Sequence, residues 1–383
     1  MDHHVPPRAR TAVAATFALH GAVAGSFATR IPWIQDHLGV GPGGLGLALL
    51  APAVGSLLAM PTAGRITHRF GGRVVTRWLI ALWCAMLAFP ALAPGLPALF
   101  AVLLLYGAVA GMCDVAMNAQ GVVVEQRLGR SIMSGLHGMW SVGGLAGGTA
   151  GIVAAHAGVD ARLHLAAMAV VLLGVSLAVG PLLLDVRPEA GQSAPAHFVL
   201  PARGVLLIGF LGFCGIFGEA ASQDWSAVYL DRVTGASPAV AAASYTAFAC
   251  MMAAGRLCGD VVVRRIGPVA AVRSGGALAS LGGVLVVASR TPAPAVTGFM
   301  LIGLGISVVI PLVFAAAGNV GRTPSEGVAG AATVSYASGF VAPSLIGWIG
   351  DVFTLPFSFG LVTVLMVAVM LGAGTLAPRL GRG

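Results

Sequence analysis

The sequence predicts an all-α membrane protein of twelve transmembrane helices arranged as two six-helix bundles. Three observations carry this expectation. Of 383 residues, 57% are hydrophobic and 9% charged, too few polar groups to cover a water-facing surface. The 21 basic residues are all arginine, and they concentrate in alternate gaps between twelve apolar stretches. One long polar gap, 185–202, divides those stretches six and six.

The stretches follow in order. A helix needs about 20 residues to cross the hydrocarbon, so twelve spans leave little chain for a soluble domain. Arg8 and Arg10 precede the first span, 11–35, which has no evident cleavage site and reads as a retained helix rather than a signal peptide. The second span, 43–64, runs into a loop with Arg65, Arg69, Arg73 and Arg77. Spans 76–94 and 98–124 follow, then Arg127 and Arg130 ahead of 131–156. Arg162 opens 162–184, and the linker carries Arg187. Arg203 opens 203–230, and Arg232 lies before 238–261. Arg256, Arg264, Arg265 and Arg273 cluster around the passage into 268–290. Arg290 precedes 294–317, Arg322 precedes 327–350, and Arg379 and Arg382 follow 356–378.

Seventeen arginines thus mark one side of the membrane, and only Arg162, Arg232 and Arg290 mark the other; Arg30 lies inside the first span. Retained loops collect cations and translocated ones shed them. Both termini are therefore expected in the cytoplasm. The expected domains are an N-terminal bundle over 1–184, a cytoplasmic linker over 185–202 and a C-terminal bundle over 203–383. The formal charge of +8 is assigned to loops facing anionic lipid head groups, not to nucleic acid. Cys84, Cys113, Cys214, Cys250 and Cys258 are odd in number and lack CxxC spacing. They read as small core residues, with no metal site or disulfide framework.

The linker position points to an internal repeat. At an offset of 196, Arg69 falls on Arg265, Gly71 on Gly267, Arg77 on Arg273, Gly107 on Gly303, Trp140 on Tyr336 and Gly143 on Gly339. Within the fifth span, Gly143, Gly147 and Gly151 form a ridge at helical spacing. Small residues of this kind let helix backbones approach closely in lipid.

Ionisable groups inside spans are costly and mark cavities or paired partners. They are His20 and Arg30 in span one, Asp114 in span four, His137 in span five, and Glu219 and Asp224 in span seven. Counted at 1.5 Å per residue, Arg30 and Asp224 lie toward the outer end, Asp114 and Glu219 nearer the middle. Arg30 either pairs with Asp224 as an outer gate or snorkels to the interface beside Trp33. Asp114 and Asn118 share one helix face, offering acceptor and donors to a hydroxylated ligand or a proton. Asp114 and Glu219 are proton-coupling candidates, against the alternative of static salt bridges or hydrogen bonds. His137 and Trp140 share a face of span five. With Trp225 and Tyr336, Trp140 offers an amphipathic ring to a sugar-like solute, or else serves packing. Gln223 completes the cavity-lining set with His20 and Asn118, whereas His156 and His164 read as solvated flanks of an outer loop.

The loop after span two reads Gly64-Arg65-Ile66-Thr67-His68-Arg69-Phe70-Gly71-Gly72-Arg73, and its counterpart after span eight includes Asp260, Arg264 and Arg265. Basic clusters at helix ends bind helix C-termini and acidic partners, so both loops are candidate cytoplasmic latches.

Here the residues resemble the major facilitator superfamily. Its loop signature Gly-x-x-x-Asp-Arg-x-Gly-Arg-Arg is matched at Gly64, Arg69, Gly71 and Arg73, while His68 replaces the Asp and Gly72 a basic residue. A latch built on Asp260 instead is one consequence. Four stretches are similar to the MosC/YbjJ-like branch near fucose permease. They are Arg30-Ile31-Pro32, Asp114 through Gly121, Ser134 through Ser141, and Glu219 through Leu230. The resemblance implies the major facilitator fold and makes Asp114 the proton-linked carboxyl. Arg30 stands near where fucose permease carries an acid.

The expected architecture is two bundles related by a pseudo-two-fold axis, enclosing a central cavity lined by spans one, four, seven and ten. The expected function is proton-coupled secondary transport of a small polar, sugar- or cyclitol-like solute. The alternative is a proton-antiport exporter of amphipathic or cationic compounds. No HExxH or GxSxG spacing supports an enzyme, and no Gly-x-x-x-x-Gly-Lys loop supports ATP drive. The expected partners are the solute, protons and the bilayer; no cofactor is expected, and the protein is expected to be a monomer.

Overall fold

In hydrocarbon a backbone N–H or C=O has no water to bond, so a spanning segment satisfies its own groups by forming a helix. The computed structural model describes residues 7–185 and 203–377. Most of the linker, including Arg187, lies outside the described residues, as do Arg379 and Arg382.

The helices are α1 (Pro7–Ala28), α2 (Ile31–Leu38), α3 (Pro42–Phe70), α4 (Gly72–Met86), α5 (Leu96–Leu128), α6 (Met133–His156) and α7 (Ala161–Val179). After the linker come α8 (Arg203–Thr234), α9 (Pro238–Ile266), α10 (Pro268–Ala288), α11 (Pro292–Ile306), α12 (Val309–Val320), α13 (Pro324–Tyr336), α14 (Ser338–Val352) and α15 (Leu355–Gly372). Three pairs, α1 with α2, α11 with α12 and α13 with α14, each make one broken crossing. The architecture is therefore the twelve-span, all-α one that the sequence predicts. Two breaks have a local cause: Pro32 and Pro311 each lie just beyond one, and proline cannot donate to the preceding turn.

Among the described residues, eleven of the twelve crossings are long and apolar enough to span a membrane by composition alone. The twelfth, α6, has 24 residues but carries His137, Trp140 and many glycines, which lower its hydropathy.

Several helices outrun the predicted spans. The second span was expected to end at 64, yet α3 continues to Phe70, and α9 continues to Ile266. Arg65, Arg69, Arg256, Arg264 and Arg265 thus stand on helices rather than in loops. Apolar length measures the hydrocarbon, and a helix does not have to stop at its edge.

The chain divides into two compact units. The first comprises Met1–Arg130, Leu136–Val199 and Arg322–Ala329; the second comprises Ser131–Gly135, Leu200–Gly321 and Gly330–Gly383. In the first, Val23 and Phe27 of α1, Trp83 and Cys84 of α4, Leu103 and Tyr106 of α5, and Leu165 of α7 form one apolar core. In the second, Tyr229, Phe299 and Phe359 meet edge to face at 5.2–6.0 Å. The Tyr229 hydroxyl donates to the Val286 carbonyl at 2.6 Å, which satisfies the one polar atom that this cluster buries.

The repeat is visible in the elements. Moving α3, 42–70, by 196 residues gives 238–266, the bounds of α9, and both helices have 29 residues. Gly71 and Gly267 close them with φ of 84° and 80°, a region that glycine enters without steric cost. Gly107 lies on the Pro52 carbonyl and Gly303 on the Phe248 carbonyl, the same contact shifted by the same 196. The ridge of α6 packs on α1 and the residue that follows it: Gly143 meets Ala18, Gly147 meets Ala22 and Gly151 meets Thr29, each too closely for a Cβ.

Candidate functional site

In the first unit the intramembrane polar residues form two linked groups. Asn118 lies one turn after Asp114 on α5, and its amide nitrogen donates to the Asp114 carbonyl at 2.9 Å and to its Oδ1 at 3.2 Å. That leaves Asn118 Oδ1 as acceptor, and it faces His137 Nε2 of α6 at 3.0 Å. The network therefore places a proton on His137 Nε2. Asn118 is wholly buried, so it bridges an acid to an imidazole rather than facing solvent.

One turn further along α6, Trp140 Nε1 donates to His20 Nδ1 of α1 at 3.1 Å. His20 Nε2 then carries the hydrogen and points at the Ala110 carbonyl of α5, 3.3 Å away. Trp83 of α4 stacks on the His20 ring at 5.1 Å and donates to the His20 carbonyl at 3.3 Å. His137 is held edge-on by Phe17 at 5.3 Å. Helices α1, α4, α5 and α6 thus converge on two oriented imidazoles, both buried. The sequence grouped Asp114 with Asn118 and His137 with Trp140; the packing joins the two groups and adds Trp83.

Arg30 occupies the break between α1 and α2. It is 4% exposed, turned into the unit, and its Nε donates to His164 Nδ1 of α7 at 3.2 Å. His164 is buried too, which corrects its reading as a solvated flank. Because α7 starts at Ala161, His164 lies within its first turn and faces inward, whereas His156 is exposed.

In the second unit, Glu219 of α8 is ion-paired. Arg256 Nη2 of α9 lies 3.1 Å from both its carboxylate oxygens. Gln223, one turn on, donates to Glu219 Oε1 at 3.3 Å. Asp224 is exposed on the same helix. Trp225 is half-buried, its ring edge against Gly347, and its Nε1 has no partner among the described residues. Tyr336 rests near Phe314, with ring centroids 6.3 Å apart. Arg256 escaped the sequence reading, which assigned it to the arginine cluster after span eight. Its small and apolar neighbours, Gly255 and Leu257, were the available signal.

Asp260, one turn beyond Arg256, caps α6. It accepts from Ser134 N at 3.0 Å, Gly135 N at 2.9 Å and Ser131 Oγ at 3.3 Å. A carboxylate there meets unsatisfied amides and the positive end of the helix dipole. Arg264 Nη1 donates to the Ser131 carbonyl at 3.1 Å, and Ser134 Oγ to the Arg256 carbonyl at 2.8 Å. The repeat places Gly64 at the position equivalent to Asp260. Gly64 backs onto Glu326 at the start of α13, where Thr323 accepts from Glu326 N at 3.2 Å. In the first half Arg73 of α4 instead pairs with Asp185 at 3.2 Å, and Arg69 of α3 lies over the Phe70 ring.

A family model described as Major Facilitator Superfamily matches residues 13–343. An uncharacterized MFS-type transporter of Yersinia pestis is 36% identical over 359 residues, covering 93% of each chain. The membrane protein MosC of Rhizobium meliloti is 33% identical over 346 residues, covering 89% of this chain and 83% of MosC. Among solved structures, the transporter FucP in its outward conformation matches with a TM-score of 0.79 at 13% identity. That match covers 96% of this chain and 98% of FucP. The proton:xylose symporter XylE matches at 0.75 with 12% identity, covering 95% of this chain and 94% of XylE. At those identities the likeness concerns the fold.

Proposed function

This chain belongs to the Major Facilitator Superfamily, a family of multi-pass membrane transporters rather than enzymes, and from that premise we propose a specific cargo and drive. It moves a small polar, sugar- or cyclitol-like solute across the bacterial inner membrane by alternating access, coupled to protons. The arginine asymmetry supports cytoplasmic termini, and each unit's own core supports a working monomer.

The hydrogen-bonded series Asp114–Asn118–His137 carries the proposal. With Asp114 ionised, hydrogen bonds run from His137 to Asn118 to Asp114. A proton arriving on Asp114 turns an acceptor-only carboxylate into a donor. A proton placed on Oδ1 makes Asn118 rotate its amide and His137 move its ring hydrogen from Nε2 to Nδ1. One proton thereby reorients groups on α5 and α6 together, which is what coupling requires. Glu219 is the second proton-linked candidate, with its charge matched by Arg256. That match lowers the net negative field that a cationic drug exporter needs, and it favours a polar, uncharged backbone of hydroxyls. Gln223, Trp225 and Tyr336 supply amide and ring faces to such a solute. Trp140 and His20, bonded to each other, line the solute path beside the series. Arg30 and Asp224 supply gate or substrate charge. Asp260 and Arg264 form the cytoplasmic latch, with Gly64, Arg69, Gly71 and Arg73 as its weaker counterpart.

The test is proton flux in liposomes holding the purified protein, with sugars, cyclitols and cationic drugs added in turn. Proton movement triggered by a sugar or cyclitol, and abolished by Asp114→Asn, is the expected result. Flux triggered by cationic drugs alone would replace this reading with antiport export, and silence across the panel would sink it.

A further inference from the structure

Arg30 and His164 leave a specific chemical deficit. The guanidinium is cationic at every relevant pH and has no acceptor atom, so its Nε–H is the donor in the 3.2 Å contact with His164 Nδ1. His164 therefore presents a lone pair at Nδ1, and its hydrogen sits on Nε2. That Nε2 and Arg30 Nη2 are both buried without a partner among the described residues. Two adjacent side chains, 4% and 6% exposed, thus offer N–H donors to no acceptor among those residues.

Charge says what kind of acceptor is missing. Within the first unit no carboxylate among the described residues pairs with Arg30, and a neutral imidazole cannot offset a buried guanidinium. Water would satisfy the donors but leave the charge uncompensated. The guanidinium fork matches carboxylate geometry and is less strongly hydrated than an ammonium, which suits it to a buried ion pair. Arg162, two residues before His164, lies over Trp33 at 5.4 Å and beside His37. Asp160 accepts from Arg162 N at 2.8 Å as the cap of α7.

We infer that Arg30 and His164 form an anion receptor inside the first unit, with Arg30 Nη2 and His164 Nε2 as the donors to a carboxylate or small inorganic anion. The anion is either the acid group of the transported solute or a free ion from solution. The first case deepens the proposed function by making the solute an acidic sugar, whereas binding itself does not depend on transport.

The experiment uses the purified full chain in detergent. Melting temperature and tryptophan fluorescence are followed on titrating sodium glucuronate, glucose, sodium acetate and sodium chloride at constant ionic strength. Wild type is compared with Arg30→Gln, Arg30→Lys and His164→Phe. Charge-assisted hydrogen bonds of this kind correspond to about tenfold or more in affinity. Glucuronate is expected to raise the melting temperature where glucose does not. Arg30→Gln abolishes the effect, Arg30→Lys weakens it about tenfold or more, and His164→Phe weakens it. Equal, Arg30-dependent binding of acetate or chloride identifies a solution anion, and preference for glucuronate identifies a substrate acid. A wild type indifferent to every anion, or an anion effect that survives Arg30→Gln, overturns the inference. A wild type without an anion effect overturns the inference whatever the variants do, and if Arg30→Gln fails to fold, Arg30→Lys and His164→Phe locate the effect. Proton flux with neutral sugars, measured in liposomes, shows separately whether the transport reading stands.

Discussion

Arg256 and Glu219 face each other across α9 and α8, one guanidinium nitrogen 3.1 Å from both carboxylate oxygens. The side chains are 8% and 19% exposed, so water screens the pair little. Breaking such a pair by removing one partner leaves a buried charge and costs about 3 kcal/mol, whereas removing both costs much less. Glu219→Gln and Arg256→Gln are each expected to lower the unfolding temperature in detergent. The double variant is expected to recover most of the loss. Additive losses in the double-mutant cycle would show that the two side chains act independently.

Asn118 links acid to imidazole and is itself wholly buried. Asn118→Leu fills the volume but removes the acceptor that faces His137 Nε2 and the amide that donates to Asp114 Oδ1, at about 1–3 kcal/mol. Solute-driven proton flux is expected to fall to background in liposomes while the protein remains monodisperse. Retained flux would remove Asn118 from the coupling path.

The α6 ridge makes a packing prediction with a built-in control. A Cβ at Gly147 would overlap the Ala22 carbonyl and come within 2.9 Å of Ser26 Oγ, whereas one at Gly174 meets nothing within 4 Å. Gly147→Ala is expected to destabilise by about 1–3 kcal/mol through overpacking. Gly174→Ala gains up to about 1 kcal/mol from helix propensity. Thermal unfolding of the two variants side by side reads the difference in sign.

Asp260 accepts two amides at the start of α6. Asp260→Ala is expected to cost about 1–2 kcal/mol as a lost helix cap, and Asp260→Asn less, because one oxygen remains. Hydrogen exchange at Ser134 and Gly135 should accelerate in the alanine variant. Unchanged exchange there would mean the amides have another acceptor.

These predictions differ in how far the sequence anticipated them. Asp114 with Asn118 and His137 with Trp140 were legible as pairs, because spacing of three or four places residues on one helix face. Asp260 was legible as a latch candidate from its arginine-rich neighbourhood. The bridge from Asn118 to His137 was not, since it depends on the angle at which α5 faces α6. His164 and Arg256 were misplaced for one reason. Both lie within a turn or three of a helix end, and a linear pattern does not say whether the end is buried.

The sequence by itself determined the fold class, the twelve crossings and the 196-residue repeat. A bilayer of fixed thickness imposes a one-dimensional length requirement, and glycine-marked helix ends recur visibly along a string. Only the tertiary structure decided partners: Glu219 with Arg256, Arg30 with His164, and Asp260 with the first turn of α6. Pairing inside a membrane depends on the rotation and depth of each helix. Close backbone contacts set both, and they join residues more than a hundred positions apart as readily as neighbours.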